Sequence, residues 1–597
     1  MKRAFLLPLM FLVAGAAATE PRDVVEARAL FQRNLDAIAR RDRAAYLACY
    51  LNADTLARTG PEGAALGYAD LEKSAGEAWP DTFEALDLRL VPVHEGVVYG
   101  TYRYRVRYGA EEHSGLSERV FMKTKDGWRI AVSTAFDAPA GTPPPPRALV
   151  GATLVDGTGT APVRNAVVIV RDGKVDCAGT RDACPVPAGV TTVDVSGQWI
   201  TPGLIDAHVH FSQTGWADGR PDTLDLREQY PYESAEADLE AHPERFFRSY
   251  LCSGATSVFD VGGYPWTVAL SRRTQDDSRA PAYAAAGPLL STSDHWLNLP
   301  ASRQFIFLKD EAAARSGVRY LKSIGAAAVK VWYIVTPEQT VEKSTPAVLA
   351  AGDEARKQGL PLIVHATGLA EAKVAVRAGA KLLVHSVGEA AVDQEFLDLA
   401  KAQGTIYTPT LTVLDGYRRM FEATASAGAV AVDDPNGCVD AGTLAKLAAT
   451  SSVGAGRIPP ADIAGIRTMI ERQGPIEASN LKRVSDAGIP IAMGTDAGNP
   501  FTLHGPSIYA EMEAMEKAGL TPMQVLVSAT QGGSRAMGRE KTLGTLEKGK
   551  TADLLVVAWD PTASIANLRR VRQVMHGGVL RSIEELRAVV AAGAKQP

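Results

Sequence analysis

Between residues 200 and 498 the chain repeats one pattern: a short apolar run, a turn, and a stretch with helical spacing. The runs are "TPGLIDAHVH", "ATSVFDVG", "PAYAAAGPLL", "AAAVKVWYIV", "LPLIVHAT", "AKLLVHSV", "TIYTPTLTV" and "IPIAMGTDAG". Continuous apolar runs mark strands buried on both faces, and parallel neighbours need a crossover between them. Eight such units predict a (β/α)8 barrel, and a barrel confines chemistry to one rim, the C-terminal ends of its strands.

Several of the runs end on residues that can bind a cation. His208 and His210, two apart on the first strand, project to the same face, although a pair alone can be chance. His365 ends "LPLIVH", His385 ends "AKLLVH" and Asp496 ends "IPIAMGTD". Five such groups on one rim converge in space, and nitrogen donors with a carboxylate favour zinc. Lys330, in "AAAVKVW", has apolar neighbours on both sides. A buried ammonium must lose its proton, find a partner or be modified. A neutral amine can add carbon dioxide and become a carbamate, an anion able to bridge two cations; a lysine reaching solvent from a strand end is the plainer alternative.

The rest of the chain divides around this core. At 597 residues it is too long for one core of ordinary size. Lysine plus arginine (63) nearly balances aspartate plus glutamate (68), so no net field argues for nucleic acid or a membrane surface. Residues 1–18 have a basic start, an apolar stretch and small residues, the pattern of a signal peptide, with no cysteine following to accept a lipid. The expectation is an exported protein, periplasmic or secreted, without a membrane anchor. The prolines of "DAPAGTPPPPRA" make residues 138–147 a semi-rigid linker. Upstream, residues 22–137 read as helices followed by alternating strands, an α+β domain. Its stretch "SERVFMKTKDGWRIAVSTAF" resembles the nuclear transport factor two-like (SnoaL-like) family, which implies a cone-shaped fold. Residues 148–201 and 541–597 are β-rich ends, the second closing on a helix, and predict a small composite β-sandwich into which the barrel, residues 202–540, is inserted. An oxidising compartment allows disulfides. Cys177 and Cys184 are placed to close a short loop; Cys49, Cys252 and Cys438 have no near partner in sequence.

The ordered stretches "PGLIDAHVH", "AAVKVW", "IVHATGLAEAKVAVRAGAKLLVHS", "GTDAG", "LHGPSIYAEMEAMEKAGLTPMQVLVSAT" and "GTLEKGKTADLLVV" closely resemble the metal-dependent amidohydrolase superfamily. Within it they resemble the imidazolonepropionase-like branch that contains Xaa-Pro dipeptidases. By that resemblance, His208, His210 and Asp496 hold the more buried of two divalent metals, His365 and His385 the second, and a carbamate on Lys330 bridges them. Asp496 is also implied as the catalytic residue that takes a proton from the attacking hydroxide and passes one to the leaving amine. His295, in "STSDHWLNLP", stands where relatives place a substrate-binding histidine. Val384 occupies a position where the family often has glutamate, which bears on the support of His385.

The implied activity is binuclear zinc hydrolysis of a C–N amide bond in a dipeptide, an Xaa-Pro peptide or an N-acyl amino acid. The alternatives are a single-metal cyclic-amide hydrolase or deaminase on the same fold, and an inactive barrel that binds small molecules. The partner in each is a small amide or peptide, and assembly with further copies of the chain stays open. Specificity is expected in the strand-end loops and in the long connection 413–489, a lid or a surface excursion.

Overall fold

The computed structural model describes residues 21–60, 63–76, 78–108, 111–137, 146–275, 277–426 and 430–592. The expected signal peptide and most of the proline linker lie outside these residues. The chain forms two compact units, residues 1–139 and 140–597.

In the first unit, helix Arg22–Ala39 buries Val24, Ala27, Leu30, Phe31 and Ile38, apolar side chains spaced by three and four. Strands Thr82–His94, Val97–Tyr108, Glu111–Thr124 and Gly127–Thr134 pair antiparallel in chain order. Burial alternates along Val97–Tyr108, so Val98, Tyr102, Tyr104 and Val106 face the core, where Phe31 meets the Tyr102 ring edge-on at 4.8 Å. This is an α+β build.

The second unit joins both its ends in one sheet. Trp199–Pro202 pairs antiparallel with Leu554–Val557, so the β-rich segments before and after the barrel share an eight-stranded sheet. The hydrogen bonding joins these composite ends in one sheet, and Leu149, Val168, Ile200, Leu554 and Val556 share one core.

Between these ends lies a distorted barrel-like arrangement of parallel strands. Leu204–Val209, Ala255–Asp260 and Ala282–Ala285 form one group. Leu289–Ser291, Phe305–Phe307, Val329–Trp332, Leu362–His365, Ala380–Val384 and Ile406–Thr408 form the other. Three expected strands are shorter or more broken than their hydropathy suggests. "PAYAAAGPLL" divides at Gly287, whose φ of 68° is left-handed, and at Pro288, which has no N–H for a ladder. "TIYTPTLTV" stops at Thr408, because Pro409 and a left-handed Thr410 (φ 47°) turn the chain into a helix beginning at Val413. "IPIAMGTDAG" forms no regular strand; it bridges Tyr407 at Ile491 and Val209 at Ala497. Its Thr495 N–H is taken by the Asp206 carboxylate at 3.0 Å, a side chain satisfying a donor that a ladder would otherwise use.

The connection 413–489 is ordered chiefly as helices Val413–Ala425, Ala441–Val453 and Pro460–Asp486. They pack on the loop that follows the first barrel strand. Met420, Leu447 and Ile463 share a core with Trp216, Leu224 and Phe501, and the Trp216 indole donates to Thr450 Oγ1 at 2.8 Å.

Cys177 and Cys184 form a disulfide, and so do Cys252 and Cys438, 186 residues apart in sequence. Cys49 is a free, buried thiol. The second bridge ties the insertion to helix Glu244–Cys252. Replacing Cys252 and Cys438 by alanine should cost about 2–5 kcal/mol, the usual worth of a bridge closing a long loop. Denaturation midpoints of the parent and the double variant, both without reductant and both keeping the Cys177–Cys184 bridge, measure this: the double variant should unfold at the lower denaturant concentration.

Candidate metal centre

The first barrel strand supplies three side chains on one face, Asp206, His208 and His210, all buried. Asp206 works as a clamp. Its carboxylate accepts from the backbone N–H of His208 (3.2 Å) and from the N–H (3.0 Å) and hydroxyl (2.6 Å) of Thr495. Burial pushes its pKa up to about 7 against those hydrogen bonds. The clamp fixes the first strand against the residue before Asp496, whose own N–H donates to the His208 carbonyl at 2.7 Å.

The imidazoles converge on Asp496. His208 Nε2 lies 3.3 Å and His210 Nε2 3.1 Å from Asp496 Oδ1, and the two nitrogens are 3.3 Å apart. His385 Nε2 lies 3.9 Å from Asp496 Oδ2. His365 stacks edge-on against His385, with ring centroids 4.3 Å apart. The strand ends thus bring His208, His210, His385 and Asp496 together, with His365 alongside. Lys330, 1% exposed on Val329–Trp332, is within electrostatic reach of Asp496, and burial pushes its pKa down to about 7.

Burial drives His208 and His365 well below the usual imidazole range and His385 to about 4, so the rings are neutral. Asp496 lies well below the usual carboxylate range: burial acts to raise it, and its closeness to His208, His210 and His385 lowers it. Asp496 and His385 both have left-handed backbones, φ 62° and 73°, uncommon for residues with a Cβ and held here by the surrounding bonds.

His210 Nδ1 contacts the Gly262 carbonyl at 2.6 Å. A carbonyl only accepts, so the proton sits on Nδ1 and Nε2 turns a lone pair inward. His385 Nδ1 contacts Thr410 Oγ1 at 2.6 Å, so a hydroxyl from the next strand end supports this ring although Val384 cannot. Asp496 Oδ1 has no conventional hydrogen-bond partner. The His210 lone pair, facing a carboxylate oxygen without a conventional partner, fits a divalent cation, and the ligand atoms of His208, His385 and Asp496 all lie within 4.8 Å of one another. Thr410→Val should weaken metal binding about 10–100-fold. Competition with a chelator measures it, and unchanged affinity would mean Thr410 does not orient His385.

His295 is drawn into a neighbouring network. Its Nε2 is 3.6 Å from Asp222 Oδ2, and its ring packs on Phe305 and Trp332. Arg220 grips Asp222 through Nε (2.9 Å) and Nη2 (2.8 Å) and donates to the Tyr417 hydroxyl at 2.7 Å and Asn499 Oδ1 at 2.5 Å. Asn499 Nδ2 in turn donates to the Asp496 carbonyl at 3.1 Å. The insertion therefore reaches the rim through Tyr417. Sequence reading did not single out Asp206, Thr410, Arg220 or Tyr417. A signal existed for Asp206, two residues before His208 on the same strand face, and none for Tyr417. His504 is packed away from the rim, contacting the Gln213 carbonyl at 2.9 Å and the Tyr250 hydroxyl at 3.1 Å.

A barrel-like arrangement of parallel strands with a metal-competent His/His/Asp group at its strand ends, together with its family, makes the chain a metal-dependent hydrolase acting on C–N bonds. The Amidohydrolase family model matches residues 199–581, and the chain belongs to that family. It is 28% identical over 420 residues to an imidazolonepropionase of Caulobacter vibrioides, a match covering 67% of this chain and 90% of that protein. It is 24% identical over 458 residues to ochratoxinase of Aspergillus niger, covering 71% of this chain and 83% of the other. A solved Xaa-Pro dipeptidase shares the fold at a TM-score of 0.56 and 22% identity, covering 73% of this chain and all of that one. Among the described residues no helix is long and apolar enough to cross a membrane.

Proposed function

We propose that the protein hydrolyses a small amide at this rim, and that Lys330 decides which of two forms the centre takes. The comparisons favour the single-metal form acting on a cyclic amide. The imidazolonepropionase of Caulobacter vibrioides is one of the most similar curated relatives, and the His208, His385 and Asp496 donors suffice for one ion. One observation favours the binuclear form acting on a dipeptide or N-acyl amino acid: Lys330 is buried beside the imidazoles with its ammonium destabilised to about 7. An amine neutral near physiological pH is ready to form the carbamate that a second ion would need, with His365 as a further donor.

In either form the ion, zinc by the character of its donors, supplies Lewis acidity that lowers the pKa of water and polarises a carbonyl oxygen. The chain's own residues do the rest. His210 and His385 present Nε2 because Gly262 and Thr410 engage their Nδ1 atoms. Asp496, ionised on the rim, accepts the proton of the attacking water and returns it to the leaving nitrogen. Export through residues 1–18 and a cone-shaped N-terminal domain belong to the same proposal.

Metal counting on active protein, combined with hydrolysis of a five-membered cyclic amide, dipeptides and N-acyl amino acids, separates the forms. One ion per chain with cyclic-amide turnover supports the first. Two ions with turnover of open-chain amides supports the second. A metal-loaded chain that cleaves none of them would overturn the proposal.

A further inference from the structure

The N-terminal unit buries a charge that hydrolysis at the rim does not use. Arg119 lies on the inward face of Glu111–Thr124, between Ser117 and Phe121, and is 7% exposed. Its one hydrogen-bond partner among the described residues is the Tyr102 hydroxyl, which accepts from Nη2 at 2.8 Å; Nε has none. The guanidinium also packs against the Tyr102 ring, 5.6 Å from its centroid. Tyr46 and Tyr50, with hydroxyls 3.0 Å apart, are within its electrostatic reach. The surrounding core is apolar, yet within that unit the Trp128 indole nitrogen and both amide atoms of Asn34 are buried without partners.

A guanidinium cannot shed its proton to escape burial, as a lysine can. Neutral phenols offer dipoles but no counter-charge, and burial followed by the neighbouring Tyr50 pushes Tyr46 upward, so it stays neutral. A buried cation without an anion is costly. Its unspent Nε edge belongs to the planar fork that matches a carboxylate through two parallel hydrogen bonds. One positive charge balances one negative charge, whereas a phosphate dianion would leave an excess in apolar surroundings.

We propose that the interior of the N-terminal unit is a binding site for a small monocarboxylate, gripped by Arg119 and ringed by the hydroxyls of Tyr46, Tyr50 and Tyr102. The proposal is independent of the metal centre. Its rival is a core arginine satisfied by phenols alone.

Isothermal titration of acetate, butyrate and benzoate into the full-length, metal-loaded protein tests it, with Arg119→Met, Arg119→Lys and Tyr102→Phe in parallel. The expected result is saturable binding of at least one carboxylate that Arg119→Met abolishes. Arg119→Lys keeps the charge but not the fork and should weaken binding roughly tenfold or more, the worth of about 1.4 kcal/mol in a charge-assisted hydrogen bond. Inorganic phosphate should bind more weakly than the best carboxylate. Binding at the metal centre would survive in all three variants, so unchanged affinity in Arg119→Met overturns the proposal. Absence of binding by every carboxylate does the same. Should Arg119→Met fail to fold, unchanged affinity in both Arg119→Lys and Tyr102→Phe is the overturning result.

Discussion

Asp496→Asn is expected to lower the rate of amide hydrolysis by roughly 10²–10⁴-fold, the range for loss of a positioned general base. Asparagine retains an oxygen at the position that faces His208 Nε2 and His210 Nε2 at 3.3 and 3.1 Å, but it cannot accept the proton of an attacking water. The loss should appear in kcat, with far-UV circular dichroism unchanged. Metal content measured on the same sample separates the two duties of the residue: retained metal with lost turnover assigns it the proton transfer. Activity within about tenfold of the parent would remove Asp496 from the chemistry.

Lys330→Met has the second large effect, and its direction differs between the forms of the centre. As a carbamate bridge, Lys330 is irreplaceable by a thioether, and the variant should lose one ion per chain together with nearly all activity. As a plain buried amine beside a single ion, its replacement by an apolar chain of like length should leave turnover intact. Stability would then rise, on the order of the 1–4 kcal/mol found when buried charges give way to apolar groups. The pH dependence of stability in the chelated protein adds a separate reading. The folded lysine titrates near 7 and the unfolded one near 10.5, so between those values the unfolded chain binds the extra proton. Stability should therefore rise with pH across that window and level off at its lower value below about 7, where both states carry the proton. Lys330→Met should flatten this slope, and a slope that persists would place its origin in other groups.

Legibility from sequence followed the range of the forces involved. His208, His210, His365, His385 and Asp496 were readable because each ends an apolar run, and hydropathy is a local signal. Strand-end placement then implied convergence without any knowledge of distances. Cys177 and Cys184 were readable as a candidate pair for the same reason, being seven residues apart. The Cys252–Cys438 bridge was not, since nothing local announces a partner 186 residues away. The eighth run misled in a different way. Its apolar content predicted a strand, but Asp206 takes the Thr495 donor and the segment closes the ring through isolated bridges.

The sequence by itself determined the periodic alternation that builds the barrel-like core, the residue types at its rim, the composite ends and the family. It did so because burial of apolar runs and the chemistry of ligand side chains are properties of residues and near neighbours. Only the tertiary structure decided which ring nitrogens turn inward, that Thr410 supports His385 where Val384 cannot, and that Tyr417 of the insertion meets Arg220 behind Asp496. Those are hydrogen bonds between groups remote in sequence. Their geometry depends on distances of a few tenths of an ångström, set by how separate strands and helices pack.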